Sequence, residues 1–480
     1  MGHPLERIYP YVPVWAQNLG ITLYGCMYRR ERLGGRFNEH VRGFQQRDRC
    51  SQQEMQSYVD SRLRSVLTLA FDQVPYYRRK WQAAGLTRVD LATFRQSDLA
   101  RLPFTPKEDL RKDPEDFLAG NIAKRNLHRY YSSGSTGTPI QSIYSTDAHR
   151  HFFAAREVRS FGWAGSSMKV PRSMLGGRMI VPSAQSRGPV YRYNRAERQV
   201  YFTAYHLNPR NVPSYVEGLN RYRPSLLTGY AYSHYLLARL MLDQGLKLDY
   251  QPQAIVLSSE KLTPEMKVVI RQAFGARAYE EYGAVEQCAL ATECEHGSLH
   301  VNSDFGIVEI LDDEDKPVPP GVDGRLVCTG LINDAQPLIR YDIGDIGAWS
   351  ENFCPCGRNQ LPVLKDLVGR LEDAVIGPDG TEMVRFHGIF VGMPNVLEGQ
   401  IIQQRIDLLR VRVVVTDAFG PEDEKAIRHR ITKERLHGMN VEIERVPELE
   451  RTGRRKFRAV ISMLTPEQRS LARANGRSGS

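Results

Sequence analysis

One short stretch of the chain, SSGSTGTP, concentrates hydroxyl side chains and glycines and contains no charged residue. Its hydroxyl groups and backbone N–H groups are donors that suit a phosphate. The residues that would supply them are Ser132, Ser133, Gly134, Ser135, Thr136, Gly137 and Thr138. A Walker A loop also needs a lysine and a following helix, and this stretch has neither. Strand-like segments flank it closely, which argues against a flexible linker and predicts a phosphate-binding loop between two strands.

A second group of residues has the types that bind a metal. Soft or borderline ligands are offered by Cys294, His300, Cys354 and Cys356. Such a set suits tetrahedral structural zinc, although the C-x-C spacing is tighter than the usual C-x2-C. His296 is an alternative to His300. The other interpretation is a group of reduced thiols that holds no metal.

Composition places the chain among globular proteins. It has 480 residues, 41% of them hydrophobic and 25% charged, which is enough for two or three domains. The formal net charge is +10, but the basic residues are spread along the chain, which disfavours a nucleic-acid partner. An enzyme that handles anionic, phosphorylated substrates would benefit from the same bias. Seven cysteines, an odd number, disfavour a disulfide framework.

No targeting or membrane-spanning segment is evident in the sequence. The mean hydropathy is −0.43, and no run of eighteen apolar residues occurs, so no membrane span is predicted. The N-terminal stretch lacks a basic region followed by an apolar one, so no secretory signal is predicted. A cytoplasmic protein is therefore expected. The oligomeric state is left open.

The elements that must position these residues are predicted from the periodicity of apolar residues. Residues 50–100 are expected to be helical, because Val59, Leu63, Val66 and Leu67 recur at helical spacing. From about 130 to 310, strand-like runs such as SLLTGY and AIVLSSE precede helical runs, which predicts an α/β architecture with a largely parallel sheet. The stretch DFGIVEIL, a Pro/Gly/Asp turn and GRLVCTGL predict an antiparallel hairpin or a small barrel.

The C-terminal quarter has a different organisation. The runs LLRVRVVVTDAF, PEDEKAIRHRITKERLHG and NVEIERV predict a compact β–α–β unit. We place a boundary near residue 370, with a large N-terminal domain over 1–369 and a small C-terminal domain over 370–463. Residues 464–480 are polar and rich in Gly, Ser and Arg, and they are expected to be disordered.

The order of five motifs resembles that of the adenylate-forming superfamily. These motifs are SSGSTGTP, EEYGAVE (Glu280–Glu286), RYDIGD (Arg340–Asp345), VGRLED (Val368–Asp373) and GRRKFR. Within the superfamily, LPFTPKEDLR and CPCGR resemble the phenylacetate–coenzyme A ligases. The N-terminal YVPVWAQNLGITLYGCMYRRERLGG resembles the branch associated with capsular polysaccharide loci. The resemblance implies a large N-terminal α/β domain and a small, mobile α+β C-terminal domain.

The resemblance also implies a reaction. A substrate carboxylate attacks the α-phosphate of ATP and gives an acyl-adenylate and pyrophosphate, through a highly anionic transition state that needs donors, a metal and a cation. Transfer of the acyl group to coenzyme A is the expected second step. An amine acceptor is the alternative, and so is a non-catalytic relative that serves as a binding protein.

Individual roles are carried over by the same resemblance. Glu286 would hold Mg²⁺ at the phosphates, since hard oxygen ligands suit that ion, and Lys456 would be the mobile catalytic lysine. Tyr282 would pack on the adenine, Asp345 would accept hydrogen bonds from the ribose hydroxyls, and Arg370 would assist as a donor. The rest of the ATP site is assigned to Ser259, Glu260, Lys261 and Gly283. Some relatives carry a metal at positions that match the Cys/His group.

Three positions depart from the superfamily pattern. Val285 stands where Thr is usual, Glu372 where the hinge Asp is usual, and Arg455 precedes the lysine where Gly is usual. These departures leave the hinge residue undefined and keep the non-catalytic interpretation open. No residue pattern identifies the carboxylic acid.

Overall fold

The structure is a computed structural model of the chain, and it describes most but not all residues. The described residues are 9, 12–131, 140–178, 180–181, 188–368, 375–383, 389–390, 393, 395–433, 436–449, 460–465, 467–469 and 471–472.

Helices and strands alternate along the described chain. The α-helices are α1 (Val14–Leu33), α2 (Phe37–Arg47), α3 (Gln52–Gln73), α4 (Pro75–Ala83), α5 (Arg88–Leu91), α6 (Lys107–Lys112), α7 (Thr146–Ala155), α8 (Val212–Tyr222), α9 (Ala231–Asp243), α10 (Pro264–Phe274) and α11 (Pro421–Thr432). The first ten strands are β1 (Leu127–Tyr131), β2 (Gln141–Ser145), β3 (Arg172–Gly176), β4 (Tyr191–Asn194), β5 (Gln199–Thr203), β6 (Leu226–Tyr230), β7 (Ala254–Ser258), β8 (Ala278–Gly283), β9 (Leu290–Glu293) and β10 (Leu299–Val301). The others are β11 (Gly306–Leu311), β12 (Gly324–Gly330), β13 (Tyr341–Trp349), β14 (Val363–Val368), β15 (Val375–Ile376), β16 (Glu382–Met383), β17 (Val396–Arg405), β18 (Leu408–Val415), β19 (Asn440–Arg445) and β20 (Val460–Ser462).

A twelve-stranded sheet organises the large N-terminal part. Its strand order is β11-β12-β13-β14-β10-β9-β8-β7-β6-β3-β5-β4. Five neighbouring strands in this order, β8, β7, β6, β3 and β5, pair in parallel. The strands on either side of these five pair antiparallel. The predicted α/β architecture is confirmed, but the parallel pairing is confined to the middle. The flanking strands follow one another through short connections without crossover helices, and such connections produce antiparallel neighbours.

The parallel strands are covered on both faces, which explains their continuous apolar sequences. Leu227 and Ile255 pack with the helices α8, α9 and α10, while Leu226 and Val256 pack with Phe44 of α2 and other residues on the opposite face. Successive strand residues point to opposite faces, so a strand buried on both sides is apolar at every position. Local sequence signals also set both ends of α10, the helix after β7. Thr263 caps its N-terminus, and Gly275 ends it in a left-handed conformation.

The hairpin predicted after residue 304 is present. Strands β11 and β12 pair antiparallel from Gly306 opposite Gly330 to Leu311 opposite Arg325. Of the two alternatives, hairpin or small barrel, the hairpin is therefore correct, since its strands extend the central sheet. Strands β1 and β2 form a separate antiparallel pair, with Tyr131 opposite Gln141.

The C-terminal part contains the predicted β–α–β unit. Strands β18 and β19 pair in parallel and are connected through α11, and the four-stranded sheet has the order β19-β18-β17-β20. Ile427 and Ile431 of α11 are buried against Val411 and Val413 of β18. The predicted boundary near residue 370 lies outside the described residues. Beyond residue 463, Leu464 and Ala472 are buried beside Ile376.

The first helix covers an edge of the central sheet. Strand β4 ends the sheet, and α1 runs beside it. The Asn18 Oδ1 accepts a hydrogen bond from the backbone N–H of Tyr193 at 2.9 Å. The Thr22 Oγ1 accepts a hydrogen bond from the backbone N–H of Arg195 at 3.1 Å. An exposed edge strand invites pairing with another chain, so this face of α1 closes the edge with polar side chains.

None of the described helices combines the length and the apolar composition that a membrane span requires.

Replacing Gly229 by alanine tests the central sheet. Its φ is 141°, and a Cβ would overlap the backbone of Leu175 in the neighbouring strand. We expect the free energy of unfolding, measured by urea denaturation, to fall by about 3 kcal/mol. The control is Gly245→Ala, at φ 66° but in open space, which is expected to cost about 1 kcal/mol. Equal losses in the two variants would contradict the close approach of β6 and β3.

Candidate active site

The candidate site lies where the parallel strands end. Parallel strands place their carboxyl ends at one edge of a sheet, where α/β proteins bind ligands. Gly177 follows β3, Tyr205 follows β5 and Tyr230 ends β6. A Cβ at Gly177 would lie 2.6 Å from the Tyr230 hydroxyl and 3.1 Å from the Tyr205 hydroxyl. These three strand ends therefore converge, and β7 and β8 end beside them in the same sheet.

Two motifs that are remote in sequence meet at this edge. The Tyr282 hydroxyl donates a hydrogen bond to the Asp345 Oδ2 at 2.8 Å. Burial and the neighbouring Asp345 raise the pKa of Tyr282 well above its usual value, so this phenol stays protonated and keeps donating. The predicted adenine-contacting tyrosine and the predicted ribose-binding carboxylate are therefore adjacent.

Glu286 is a buried carboxylate with partners from two other segments. Only 5% of the residue is exposed. The Tyr341 hydroxyl donates to its Oε1 at 3.1 Å, and the Lys107 Nζ lies 3.4 Å from the same oxygen. Burial and the charge of Glu286 raise the pKa of Tyr341 well above its usual value. A buried carboxylate without such partners would be strongly unfavourable.

Lys107 is a residue that the sequence analysis did not assign. It is the first residue of the short helix α6, and its Nζ also donates to the Ile343 carbonyl oxygen at 3.1 Å. Two backbone hydrogen bonds of Thr105 hold this segment against β13. The Thr105 N–H donates to the Arg340 carbonyl oxygen at 2.8 Å, and the Asp342 N–H donates to the Thr105 carbonyl oxygen at 3.2 Å. The stretch LPFTPKEDLR contains this lysine, but nothing in the stretch indicates which distant residue the lysine meets.

The residues assigned after β7 lie at the same edge. Ser259 is exposed with φ 75°, an uncommon conformation for a residue other than glycine. The Glu260 Oε2 accepts a hydrogen bond from the backbone N–H of Tyr232 at 2.9 Å. The Lys261 Nζ donates a hydrogen bond to the Leu367 carbonyl oxygen at 3.2 Å. Gly283 ends β8 and is exposed. These four assignments remain predictions about ATP.

Several assigned residues lie outside the described part of the chain. They are Ser132, Ser133, Gly134, Ser135, Thr136, Gly137, Thr138, Arg370 and Lys456. The strands on either side of the predicted phosphate loop are described, and they dock on the Glu286 segment. Tyr144 of β2 donates from its hydroxyl to the Val285 carbonyl oxygen, and its ring stacks on Tyr130 at a centroid distance of 5.3 Å.

The four predicted metal ligands form one cluster. Their ligand atoms, from Cys294, His300, Cys354 and Cys356, all lie within 4.8 Å of one another. The Sγ atoms of Cys294 and Cys354 are 3.5 Å apart, and the Cys356 Sγ is 3.3 Å from the His300 Nε2. Zinc–sulfur bonds of about 2.3 Å in a tetrahedron place sulfur atoms about 3.8 Å apart, so the cluster fits a zinc ion.

The surroundings of the cluster also suit a metal. The Nδ1 of His300 is 3.0 Å from the Leu361 carbonyl oxygen, an arrangement that directs Nε2 to the metal. Burial raises the pKa of Cys354, but hydrogen bonds from Ser298, the Cys356 backbone and His300 outweigh burial and lower the pKa to about 6. This lowered pKa favours the thiolate, which is the form of cysteine that binds a metal. His296 is exposed and outside the cluster, so His300 is the better of the two alternatives.

Comparisons with known proteins find matches to a C-terminal segment of the chain and to most of its length. A family model described as the CapK C-terminal domain matches residues 375–463. Protein CapK of Staphylococcus aureus is 25% identical over 421 residues, which cover 86% of this chain and 89% of that protein. A phenylacetate–coenzyme A ligase of Thermus thermophilus is 27% identical over 425 residues, which cover 82% of this chain and 89% of that one. Over most of its length, the chain is therefore similar to CapK and to the phenylacetate–coenzyme A ligases.

The fold of the chain is that of the adenylate-forming ligases. A crystal structure of 2-hydroxyisobutyryl-CoA ligase with 2-HIB-AMP and CoA has a TM-score of 0.56 to it at 22% identity. The likeness covers 87% of this chain and 91% of that one. The predicted fold is thereby confirmed, and the similarity to CapK and to the phenylacetate–coenzyme A ligases confirms the resemblance inferred from the motifs.

A double-mutant cycle tests the contact between Lys107 and Glu286. We expect Lys107→Met to lower the free energy of unfolding by about 2 kcal/mol, because the buried carboxylate loses a cation. In a Glu286→Gln background the same change is expected to cost much less, since the charge to be compensated is gone. Urea denaturation of the four proteins gives the coupling energy. Lys112→Met, exposed on the same helix, is the control. A coupling energy near zero would contradict the contact.

Proposed function

We propose that the protein is an ATP-dependent carboxylate-activating ligase that forms an acyl-adenylate and pyrophosphate. The observation that carries this proposal is the meeting of Glu286, Tyr282 and Asp345 at the carboxyl edge of the sheet. Segments from three distant parts of the chain supply these residues and Lys107. The homology to phenylacetate–coenzyme A ligases supports the same reaction class.

The first half-reaction is a displacement at phosphorus. A carboxylate oxygen of the acid forms a bond to the α-phosphorus of ATP, the bond from that phosphorus to the oxygen bridging to the β-phosphate breaks, and pyrophosphate leaves. Both reactants are anionic, so the chain must provide positive charge and donors. Lys107 supplies a fixed cation beside Glu286. Lys456, from the C-terminal part, is proposed as the mobile one.

Glu286 is the proposed ligand for Mg²⁺. A carboxylate oxygen is the ligand type that this ion prefers, and the ion would neutralise charge on the phosphates when bound. The Tyr341 hydroxyl fixes the orientation of the carboxylate. Tyr282 and Asp345 are proposed to contact the nucleoside, with Arg370 and the loop from Ser132 to Thr138 completing the phosphate site.

Coenzyme A is the proposed acyl acceptor. Its thiol sulfur would attack the carbonyl carbon of the adenylate, and AMP would leave with the oxygen that came from the acid. The curated relatives named as phenylacetate–coenzyme A ligases support this acceptor. The C-terminal domain is proposed to move between the two half-reactions, so that Lys456 acts in the first one. A cytoplasmic location stays a prediction.

Zinc is proposed as a structural metal at Cys294, His300, Cys354 and Cys356. The cluster joins the β9–β10 turn to the loop before β14, and none of its residues belongs to the proposed ATP site. A closed four-ligand site of this type stabilises a fold. Catalysis is therefore expected to need zinc only through the stability of this region.

The activity test uses Glu286→Ala. We expect it to abolish carboxylate-dependent exchange of pyrophosphate into ATP, because the proposed metal ligand is lost while the surrounding core remains. Exchange is measured with a panel of carboxylic acids, beside a thermal melt that confirms folding.

The control is Glu293→Gln, which alters another buried glutamate that pairs with Lys267 and Arg277, and it should retain exchange. Normal exchange in Glu286→Ala would refute its proposed role. If the wild-type chain gave none across the panel, the non-catalytic alternative would gain support.

The zinc test is elemental analysis of protein purified without added metal. We expect close to one zinc per chain, and a loss of most of it in Cys354→Ser and Cys356→Ser. Cys50→Ser, outside the cluster, should keep the metal. Wild-type protein with less than about a tenth of an equivalent would contradict the site.

A further inference from the structure

The outer face of α1 has no role in closing the sheet. The helix uses Asn18 and Thr22 to satisfy the backbone of the edge strand. Gly25 lies against Asn194, where any Cβ would overlap the asparagine side chain. These contacts fix which side of the helix faces the protein. The residues on the opposite side are therefore not required for packing of the described chain.

Four large apolar residues form an outer stripe on that side. Trp15 is 70% exposed, Leu19 52%, Leu23 64% and Met27 67%. They are spaced four residues apart, so each lies about 40° round the helix from the previous one. Single exposed apolar residues are ordinary, but a contiguous row of four is a typical sign of an interaction surface.

A basic groove opens beside the outer stripe. Its volume is about 390 Å³, and it lies between the C-terminal half of α1, the start of α2 and the loop before β3. Arg29, Arg30 and Lys169 contribute to its lining. Within the described chain no carboxylate forms an ion pair with these three cations. The groove therefore presents positive charge next to an apolar surface.

We propose that the outer stripe and the basic groove dock the protein on an anionic membrane surface. An interfacial helix places Trp and Leu at the boundary of headgroups and acyl chains, with basic residues alongside the lipid phosphates. A net charge of +10 favours the same surface.

A second copy of the chain would be a poorer occupant. A twofold interface presents the same patch on both subunits, and α1 has only one acidic residue, Glu31. That carboxylate already pairs with His128 at 3.2 Å. Pairing two copies through α1 would thus bring their arginines near each other without a carboxylate to match them, whereas anionic lipids supply the missing charge.

Co-sedimentation of the full-length protein with vesicles tests the proposal. We expect binding to vesicles of phosphatidylglycerol and phosphatidylcholine, and at least about tenfold weaker binding to pure phosphatidylcholine. Leu19→Ser/Leu23→Ser/Met27→Ser and Arg30→Gln/Lys169→Gln should each weaken binding to the anionic vesicles about tenfold or more. The controls are Val268→Ser and Arg271→Gln, exposed positions on α10, which should bind as the wild type does.

A fluorophore reports which face meets the lipid. Cys26 is exposed on α1 beside the stripe, and an environment-sensitive dye attached there should shift to the blue only when anionic vesicles are added. Cys26→Ser protein treated in the same way is the blank. Sedimentation equilibrium is run in parallel on all variants. Equal binding to neutral vesicles, no binding at all, or a dimer that the stripe variant abolishes would each overturn the proposal.

Discussion

The candidate site depends on the compensation of one buried negative charge. The Glu286 carboxylate is held inside the protein by a hydroxyl from β13 and an ammonium group from α6. Removing such a group from water is costly unless partners replace the solvent. The three segments must therefore stay together for the carboxylate to remain buried, and their meeting point is where the sheet presents its strand ends. Stability and the proposed chemistry share the same contacts here.

The topology of the sheet explains why these contacts converge. The parallel strands in its middle direct their carboxyl ends to one edge, and the antiparallel strands on one flank bring Asp345 and Tyr341 back to it. The β1–β2 hairpin reaches the same place through Tyr144 and Val285. Each segment contributes one or two polar groups, and no single stretch of sequence contains the whole site. The metal-ligand cluster lies apart from these groups and joins two turns of the antiparallel flank.

Much of this organisation was predictable from the sequence, for identifiable reasons. Strands β6 and β7 are buried on both faces, so their continuous apolar runs were readable, and the turn residues between β11 and β12 indicated a hairpin. The Cys/His cluster was predicted because three cysteines and one histidine, residue types that bind zinc, lie in two short stretches. Lys107 was missed, since its partner is distant in the chain and a single lysine has no pattern. The antiparallel flanks were underestimated, because strand direction depends on connections that periodicity does not reveal. The role of α1 was also not predicted, as Asn18 and Thr22 satisfy an edge strand that only the folded sheet defines.

The proposed reaction joins a carboxylate oxygen to the α-phosphorus of ATP. Acids labelled with ¹⁸O in the carboxylate test it most directly, with ATP and coenzyme A present and the products measured by mass spectrometry. We expect one ¹⁸O atom in AMP and none in pyrophosphate, because the bridging oxygen of the adenylate leaves with AMP. Label in inorganic phosphate, with ADP as the other product, would mean attack at the γ-phosphate and would contradict the proposed reaction.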